Sequence, residues 1–471
     1  MAGTASADNV RKIIKAYDVR GVVPDQLDAQ ITRAIGVAAA RVLVEPGQRT
    51  IAVGHDMRPS AGELVSAFVD GVTSQGVDVV VVGLAATDQL YFASGHLDVA
   101  GAMFTASHNP AQYNGIKFCR SGARPVSQAS GLAEITTITE AVLAGTDPGA
   151  EGTRRGTVTE QDLLAAYATY LHGLVDLSDI RPLTVVVAAA NGMAGPTVPA
   201  VLGSMAAITV DPLYFDLDGT FPNHEANPID STTLRDLQAR VTEIGADLGL
   251  AFDGDADRCM VIDQTGAVVS PSAITALVAT HELERHPGAA VVHNLITSQA
   301  VPEIIAEHGG VPIRTRVGHS LIKQTMADTD AVFGGEHSAH FYFRDFWRAD
   351  SGMLAALHVL AALGHTPEGT TVTDLLDPFE RYVGSGEINS TVGDGAAATS
   401  SVEARYANQD NIDIDHLDGL TVSHRGEPTW WFNLRPSNTE PLLRLNVEGV
   451  DHATMARIRD DVLAMVRGGE T

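Results

Sequence analysis

The chain has 471 residues, of which 58 are acidic and 31 basic, so its formal net charge is −27. This length predicts about three domains. The charge argues against a protein that coats nucleic acid, because phosphate binding over a broad surface needs a basic face. With 45% hydrophobic and 19% charged residues, the composition also excludes disorder along the whole chain.

Two cysteines, Cys119 and Cys259, are too few to staple a chain of this length, which favours a reducing compartment. Residues 1–9 lack a basic segment followed by an apolar one, so no signal peptide is predicted. The longest apolar runs, at 79–86 and 353–363, are shorter than the roughly 18 residues that a membrane span needs. We therefore expect a cytoplasmic protein without a membrane partner, and its oligomeric state stays open.

Segments that read strand, turn, helix, strand recur along most of the chain. The first set runs from a strand at 50–58 through a helix at 60–75 to a strand at 77–85. The second opens at 183–195 and closes at 246–263, and the third runs from 289–298 through a helix at 300–308 and a strand at 311–317 to 331–343. Short apolar runs that alternate with longer helices predict α/β domains with largely parallel, buried strands.

The last hundred residues follow a different pattern. A Gly/Ala/Ser-rich stretch at 391–401 precedes residues 420–449, which alternate like antiparallel strands, and a final helix is predicted at 451–467. We place domain breaks near 151–157, Asp263 and Pro378. The predicted domains are 1–155, 156–263, 264–377 and 378–471.

The segment DGDADR carries three aspartates spaced two apart, Asp253, Asp255 and Asp257. Such neighbours point away from each other on a helix and stand about 7 Å apart on a flat strand. Only a tight turn, which Gly254 permits, brings three carboxylates onto one cation, and hard oxygen ligands favour Mg²⁺ or Ca²⁺. Arg258 and Gln264 occupy positions where an EF-hand needs Gly and Glu, so that motif is excluded. The alternative is an acidic turn exposed to solvent.

The segment TASHNP at 105–110 follows the apolar run VAGAMF. Its Ser107 lies at a strand-to-loop junction but lacks the G-x-S-x-G frame of a hydrolase nucleophile. Asn109-Pro110 is typical of a turn. The Ser107 hydroxyl could accept and donate a phosphoryl group, or it could only cap the turn.

Two further segments carry polar side chains suited to a phosphorylated sugar. In GEHSAH, Glu336 and Ser338 suit adjacent hydroxyls, and His340 could move a proton near neutral pH. RPSNTEP combines one cation with three small polar side chains, a set that suits phosphate: Arg435, Ser437, Asn438 and Thr439. The alternatives are a solvated histidine and an ordinary hairpin turn.

Together with YDVRG at 17–21, these four motifs resemble, in their order, the α-D-phosphohexomutase superfamily, most of all its bacterial phosphomannomutase/phosphoglucomutase type. The resemblance runs from Tyr17 to beyond Pro441. It implies three related α/β domains with mixed sheets and a smaller C-terminal α+β domain around a central cleft. Each domain would contribute one motif.

The resemblance also implies roles for individual residues. Ser107 would carry the phosphate and, together with Asp253, Asp255 and Asp257, would hold Mg²⁺. Arg20, His108 and Arg258 would act beside that phosphate. Lys117, one of only four lysines in the chain, and His340 would serve as acid and base in an order that stays open. The implied sugar- and phosphate-binding residues are His319, Glu336, Ser338, Arg435, Ser437, Asn438 and Thr439.

The implied activity interconverts mannose 1-phosphate and mannose 6-phosphate, and also glucose phosphates, through phosphorylated Ser107. A hexose 1,6-bisphosphate would be both the intermediate and an activator, and hexose phosphates are the expected partners. Phosphoglucomutase and phosphoglucosamine mutase remain alternatives, because no motif residue is assigned to contact the substituent at C2 of the sugar. A non-catalytic sugar-phosphate-binding protein is a further alternative, against which the intact Ser107 and aspartates argue.

Two features depart from this picture. Ala256 and Ala339 stand where the family commonly has Gly, and alanine is strained there if the position needs a positive φ. FDLDGT at 215–220 matches the start of haloacid-dehalogenase-like enzymes, which form a phosphoaspartate. We expect Pro212 to break the strand that this motif requires, and the resemblance to the phosphohexomutases implies a surface loop here instead.

Overall fold

A computed structural model describes residues 9–147, 154–436 and 442–468. The chain forms two compact units. The first comprises residues up to Val269 together with Ser338–Leu375, and the second comprises Ser270–His337 together with the chain from Leu376 onward. Among the helices of the described residues, none is long and apolar enough to cross a membrane.

The first unit opens with a seven-stranded mixed sheet. Its elements in chain order are β1 (Val19–Val22), α1 (Ala29–Leu43), β2 (Thr50–His55), α2 (Ala61–Ser74), β3 (Asp78–Leu84), α3 (Thr87–Leu97), β4 (Ala100–Phe104), β5 (Tyr113–Arg120), β6 (Arg124–Pro125), α4 (Ala133–Leu143) and β7 (Val158–Glu160). The strand order is β1-β5-β4-β2-β3-β7, with β6 beside β5. Strands β4, β2, β3 and β7 run parallel, whereas β5 runs antiparallel to both β4 and β1. The helices bury their apolar faces on this sheet, with Ile35, Phe68 and Phe104 fully buried.

The next segment of the first unit contains a second sheet, of four strands, together with three helices. Its elements in chain order are α5 (Leu164–His172), β8 (Leu183–Ala188), α6 (Ala194–Leu202), β9 (Ile208–Leu213), α7 (Arg235–Ile244), β10 (Leu248–Phe252) and β11 (Cys259–Ile262). The order is β11-β10-β8-β9, and only β11 runs antiparallel to its neighbour. All five residues of β10 are buried. Residues 214–220 contain no strand and Asp216 is exposed, as predicted for a surface loop. The prediction that Pro212 breaks the preceding strand is wrong, because Pro212 lies within β9, an edge strand, where proline is tolerated.

The chain then enters the second unit and returns to the first. The second unit contains α8 (Pro271–Arg285), β12 (Ala290–Asn294), α9 (Ala300–Glu307), β13 (Val311–Thr315), α10 (His319–Thr329) and β14 (Phe333–Gly335), with β12 parallel to both β13 and β14. Back in the first unit, β15 (Phe341–Phe343) pairs antiparallel with β16 (Ala349–Asp350). Helix α11 (Gly352–Gly364) follows, with all thirteen of its residues buried, and α12 (Val372–Leu376) lies where the chain leaves this unit. Because α11 is apolar on every side, it can serve only as a core helix.

The C-terminal part of the second unit is an antiparallel sheet covered by two helices. Its elements are β17 (Val383–Thr391), α13 (Gly395–Tyr406), β18 (Ile412–Asp415), β19 (Leu420–His424), β20 (Trp430–Pro436), β21 (Leu442–Gly449) and α14 (His452–Arg467), with strand order β17-β21-β20-β19-β18. Val402, Phe432 and Ile458 form part of its separate core. The predicted fold class, three α/β parts followed by an α+β part, is confirmed.

Candidate active site

Two loops of the first unit lie at equivalent places in their sheets. Residues 105–112 leave the parallel strand β4 and lead into antiparallel β5, and residues 253–258 leave parallel β10 and lead into antiparallel β11. Ligand-binding groups gather at the carboxyl ends of parallel strands, because the loops there meet at one edge of the sheet. The tight turn predicted for 253–258 is confirmed.

The two loops touch each other, and Gly254 makes the contact possible. A Cβ atom on Gly254 would lie 2.6 Å from the carbonyl oxygen of Ser107, and one on Gly192 would lie 2.6 Å from the carbonyl oxygen of Gly254. Real Cβ atoms do not approach backbone oxygens so closely. Glycine is therefore required here by the close approach of three backbone segments.

Ser107 stands at this contact with its hydroxyl against an acid. Its backbone is left-handed, with φ 50°, and its side chain is almost completely buried. Its Oγ donates to Asp253 Oδ2 at 2.9 Å and lies 3.2 Å from His108 Nδ1. The Ser107 amide donates to Thr105 Oγ1 at 2.9 Å, which helps to hold the strained backbone.

A buried arginine that the sequence analysis missed holds the serine loop. Every guanidinium nitrogen of Arg58 donates to a carbonyl or carboxylate: the acceptors are Asp56 Oδ2 and the carbonyl oxygens of Ser107, Asn109, Pro110 and Tyr113, at 2.6–3.2 Å. Arg20 adds a second clamp, donating to Asn109 Oδ1 at 2.5 Å. Arg58 lies in the polar segment HDMRPS directly after β2, and this place at a strand end was the available signal.

The three aspartates of the 253–258 loop are fully buried, and oxygens from all three lie within 4.8 Å of one another. Burial, and then repulsion from Asp255 and Asp257, raises the pKa of Asp253 well above its usual range. Burial would also raise the pKa of Asp257, but the nearby cations, with Lys117 foremost, outweigh it and hold this pKa well below normal. The carboxyl groups therefore share one buried place, where burial and mutual repulsion favour the neutral form of Asp253 and nearby cations favour the ionised form of Asp257.

Lys117 contacts two of these carboxylates directly. Its Nζ donates to Asp255 Oδ2 at 2.7 Å and to Asp257 Oδ2 at 2.5 Å. Burial alone would lower the pKa of Lys117, but the carboxylates of Asp255, Asp257 and Asp350 raise it above its ordinary value. The lysine thus faces the acid cluster as an ammonium ion.

The carboxylate set fits a hard divalent cation. Within the described residues, Asp255 Oδ1 and Asp257 Oδ1 are buried atoms without a hydrogen-bond partner. Leaving buried charged oxygens unpaired is costly, and a cation that prefers oxygen ligands would satisfy both at once. The predicted metal-binding character of this loop therefore agrees with its side-chain geometry.

Arg258 links the aspartate loop to two histidines. Its Nη2 donates to His108 Nδ1 at 3.0 Å and its Nε donates to His340 Nε2 at 3.2 Å, while its amide donates to Asp253 Oδ1 at 3.2 Å. The charge of Arg258, followed by burial, lowers the pKa of His108 well below its ordinary value. Because an arginine N–H can only donate, we assign an unprotonated nitrogen to each histidine at these contacts.

His340 is oriented from its other side by Ser338. Its Nδ1 lies 2.9 Å from Ser338 Oγ, and its Nε2 lies 3.5 Å from Asp257 Oδ1. The imidazole therefore stands at the edge of the acid cluster with both ring nitrogens close to polar groups. Ala256 and Ala339 flank this region with φ values of 59° and 63°, so both alanines adopt the left-handed backbone considered from the sequence.

The remaining predicted residues lie in the second unit. Glu336 is buried and accepts from Asn294 Nδ2 at 3.2 Å. Arg435 is also buried, and its Nη2 donates to Glu387 Oε2 at 2.7 Å. His319 begins α10, but its side chain lies outside the described ones, as do residues Ser437, Asn438 and Thr439 altogether.

The chain matches four families of phosphoglucomutase/phosphomannomutase domains in succession. The matches are alpha/beta/alpha domain I at 11–144, domain II at 165–266, domain III at 270–382, and the C-terminal domain at 387–465. Together they account for most of the chain, in the order in which the domains are numbered.

Curated relatives match over nearly the whole length. A phosphomannomutase of Salmonella typhimurium is 40% identical over 441 residues, which cover 92% of this chain and 94% of the relative. Phosphohexose mutases of Xanthomonas campestris pv. campestris are 39% identical over 460 residues, covering 96% and 99%. A solved phosphoglucomutase/phosphomannomutase family protein from Burkholderia thailandensis superposes with a TM-score of 0.84 at 31% identity, covering 98% of this chain and 99% of that one.

Proposed function

Because the chain belongs to the phosphoglucomutase/phosphomannomutase family, we propose that it is a phosphomannomutase that interconverts mannose 1-phosphate and mannose 6-phosphate. The observation that carries the proposal is the hydroxyl of Ser107, held 2.9 Å from Asp253 in a cluster of three buried carboxylates. A serine hydroxyl beside buried carboxylates can carry a phosphoryl group if a bound cation balances the negative charge of the phosphoryl group and the carboxylates.

In this proposal Ser107 carries the phosphoryl group between turnovers. The free hydroxyl of a hexose phosphate attacks that phosphorus, the bond to Ser107 Oγ breaks, and a hexose 1,6-bisphosphate forms. The bisphosphate turns around and returns its other phosphoryl group to Ser107, so phosphorus and charge balance over the cycle. Positioning supplies much of the acceleration in such transfers, and the bonds from Arg58 and Arg20 keep the serine loop in place for it.

We propose that Asp253, Asp255 and Asp257 hold Mg²⁺, with a phosphate oxygen on Ser107 as a further ligand. When bound, the ion offsets negative charge on the group being transferred. Arg258 lies within reach of Asp253 and both histidines, and its fixed positive charge would stabilise the same group from another side. Hexose 1,6-bisphosphate would act as an activator by rephosphorylating Ser107 whenever the intermediate escapes.

His340 and Lys117 are the proposed acid and base. The contact with Arg258 indicates an unprotonated His340 Nε2, and we propose that this nitrogen removes the proton from the attacking hydroxyl. Lys117 carries a proton among the carboxylates, and we propose that it donates this proton to the departing Ser107 oxygen. His108, whose Nδ1 lies 3.2 Å from Ser107 Oγ, would lie beside the transferred phosphoryl group.

The sugar would be bound by groups that can serve either of its two orientations. We propose that Glu336 and Ser338 bind adjacent ring hydroxyls and that His319 lies beside the sugar. The phosphate that is not transferred would be bound by Arg435, Ser437, Asn438 and Thr439. Because none of these residues is assigned to C2, where mannose and glucose differ, glucose phosphates are proposed as further substrates. The relatives named phosphomannomutase favour mannose. Cys119 and Cys259 are both buried thiols, which supports the proposed cytoplasmic location.

A coupled mutase assay tests the proposal. Mannose 1-phosphate, glucose 1-phosphate and glucosamine 1-phosphate are compared at saturating Mg²⁺, each with and without a hexose 1,6-bisphosphate. We expect turnover of the mannose and glucose substrates, stimulation by bisphosphate, and no turnover by Ser107→Ala. Ser130→Ala, in the same unit but away from the site, is the control and should retain activity. No turnover of any hexose phosphate by the bisphosphate-treated wild type would rule the proposal out.

A further inference from the structure

We infer that Thr87 is a positioning residue for the metal loop, which it holds so that one oxygen of Asp255 is left for the cation. Thr87 is fully buried and is the first residue of α3. Its Oγ1 donates to Asp255 Oδ2 at 2.6 Å, and its backbone amide donates to the Asp255 carbonyl oxygen at 2.9 Å. One residue therefore fixes both the backbone and the side chain of Asp255. The inference rests on the metal role proposed above.

The two oxygens of Asp255 have sharply different surroundings. Oδ2 accepts from Thr87 Oγ1 and from Lys117 Nζ, at 2.6 and 2.7 Å. Oδ1 is buried and has no hydrogen-bond partner within the described residues. Two donors on one oxygen set the rotation of the carboxylate and leave Oδ1 for a cation. Carboxylate oxygens of Asp253, Asp255 and Asp257 lie within 4.8 Å of one another.

Thr87 does something that Lys117 cannot do. An ammonium ion lowers the net charge of the cluster and so competes with a cation, whereas a hydroxyl orients the carboxylate and leaves its charge unchanged. A threonine side chain is also stiff at χ1, and the backbone of Thr87 is held by the bond from its amide to the Asp255 carbonyl. Without the hydroxyl, Asp255 would be free to turn both oxygens toward Lys117, which would lower the affinity for the cation.

The experiment measures binding of Mn²⁺, which shares the preference of Mg²⁺ for oxygen ligands. Free Mn²⁺ is titrated by electron paramagnetic resonance against the full-length wild type, Thr87→Val, Thr87→Ala and Thr87→Ser. Losing a group that orients a metal ligand typically weakens affinity by 10–100-fold, and we expect that loss for Val and Ala. Ser keeps the hydroxyl and should stay within about threefold of the wild type.

Thr197→Val is the matched control, because Thr197 is equally buried and its Oγ1 donates to the Met193 carbonyl at 2.6 Å, in α6 of the same unit. It should lose stability without losing Mn²⁺ affinity. The inference is overturned if folded Thr87→Val or Thr87→Ala binds Mn²⁺ like the wild type, if Ser is as weak as Val, or if the wild type binds no Mn²⁺. Should Thr87→Val not fold, the smaller Ala variant decides.

The mutase assay separates this inference from the proposed function. If the wild type turns over mannose 1-phosphate and Thr87→Val keeps its Mn²⁺ affinity, the positioning role of Thr87 is wrong and the proposed function stands. A wild type that binds Mn²⁺ in a Thr87-dependent way but turns over no hexose phosphate removes the proposed function and leaves the positioning role standing.

Discussion

Ser107 combines a left-handed backbone conformation with a hydroxyl that donates a hydrogen bond to Asp253. A left-handed conformation costs a non-glycine residue about 1–2 kcal/mol, and the bonds to Thr105 and Arg58 offset that cost. We predict that active protein carries one phosphate here, visible as a higher intact mass that phosphatase removes. Ser107→Ala should lack it and lose roughly 10³-fold or more in kcat. Full turnover by that variant without added bisphosphate would contradict the prediction.

Lys117 should not be replaceable by arginine. Its compact ammonium fits between Asp255 and Asp257, and a guanidinium is larger and cannot give up a proton. We predict that Lys117→Arg loses about 10²–10⁴-fold in kcat, as is typical of a lost acid or base. Steady-state kinetics beside Lys117→Ala, with the exposed Lys12→Arg as control, measures this. If arginine restores most of what alanine loses, the acid/base role is wrong and an electrostatic role stands.

Arg58 should be essential for the structure of the serine loop. A lysine has three donors, so Arg58→Lys removes the side-chain hydrogen bond to at least two of the five acceptors described above, at about 1–3 kcal/mol for each one left unsatisfied. We predict a loss of about 2–5 kcal/mol in the free energy of unfolding, measured in urea, together with a fall in kcat. Arg124→Lys, on an exposed side chain, should change stability by less than about 0.5 kcal/mol. Equal effects in the two variants would remove the clamp role of Arg58.

Three helices of the first unit meet at one carboxylate, that of Asp88 in the first turn of α3. Its Oδ2 accepts from Tyr167 in α5 and from Ser351, which also caps α11, both at 2.6 Å. Burial raises the pKa of Asp88 to about 7, against the effect of these two hydrogen bonds and helped by Asp257 and Asp350. This junction of helices should therefore be sensitive to pH.

The direction of this pH dependence follows from which state, folded or unfolded, releases the Asp88 proton at the lower pH. Unfolded Asp88 ionises near pH 3.8, whereas the folded protein keeps the proton up to about pH 7. Its contribution to the free energy of unfolding is therefore lost as pH rises, by about 1.4 kcal/mol per pH unit in that window. Asp88→Asn keeps the neutral form, so in urea its stability relative to wild type should rise by about 2 kcal/mol between pH 5 and 7. Exposed Asp25→Asn should show no such trend, and parallel pH curves for Asp88→Asn and wild type would contradict the assignment.

For the molecule as a whole, charge is the dominant physical feature. A net charge of −27 opposes compactness, so salt of any kind should stabilise the fold by screening. Mg²⁺ should do more than NaCl at matched ionic strength, because in the proposed site it would also bind the three buried carboxylates. At 100 times its Kd a bound ion stabilises by about 2.7 kcal/mol.

Thermal unfolding measures this difference. We predict a higher Tm in Mg²⁺ than in NaCl for the wild type, no such difference for Asp255→Asn, and loss of mutase activity in EDTA that added Mg²⁺ restores. Asp255→Asn should lower kcat far more than it raises KM, since in the proposed mechanism the ion would act on the transferred group. Equal Tm values in the two salts, or activity in EDTA, would contradict a metal at this cluster.

The sequence alone predicted the α/β class of the first three parts, the α+β class of the last, and the tight turn at the three aspartates. Hydrophobic periodicity is local, so it predicted helices such as α2 and α9, but it did not predict α1, α3 or β5. The domain limits and the roles of the site residues remain predictions. The chemistry that a residue type can perform at a strand end can be inferred from the sequence without coordinates.

Only the tertiary structure decided which groups meet. Thr87 lies 168 residues from Asp255, its hydrogen-bond partner, and Arg58 lies 49 residues from Ser107. No spacing in the chain encodes such pairs, because they arise when loops that follow separate strands, in one sheet or in two, pack against each other. The same holds for Lys117, whose neighbours in sequence do not indicate two carboxylates at hydrogen-bond distance. Local patterns specify elements, whereas packing between distant elements sets the contacts, the burial and the charges that each side chain experiences.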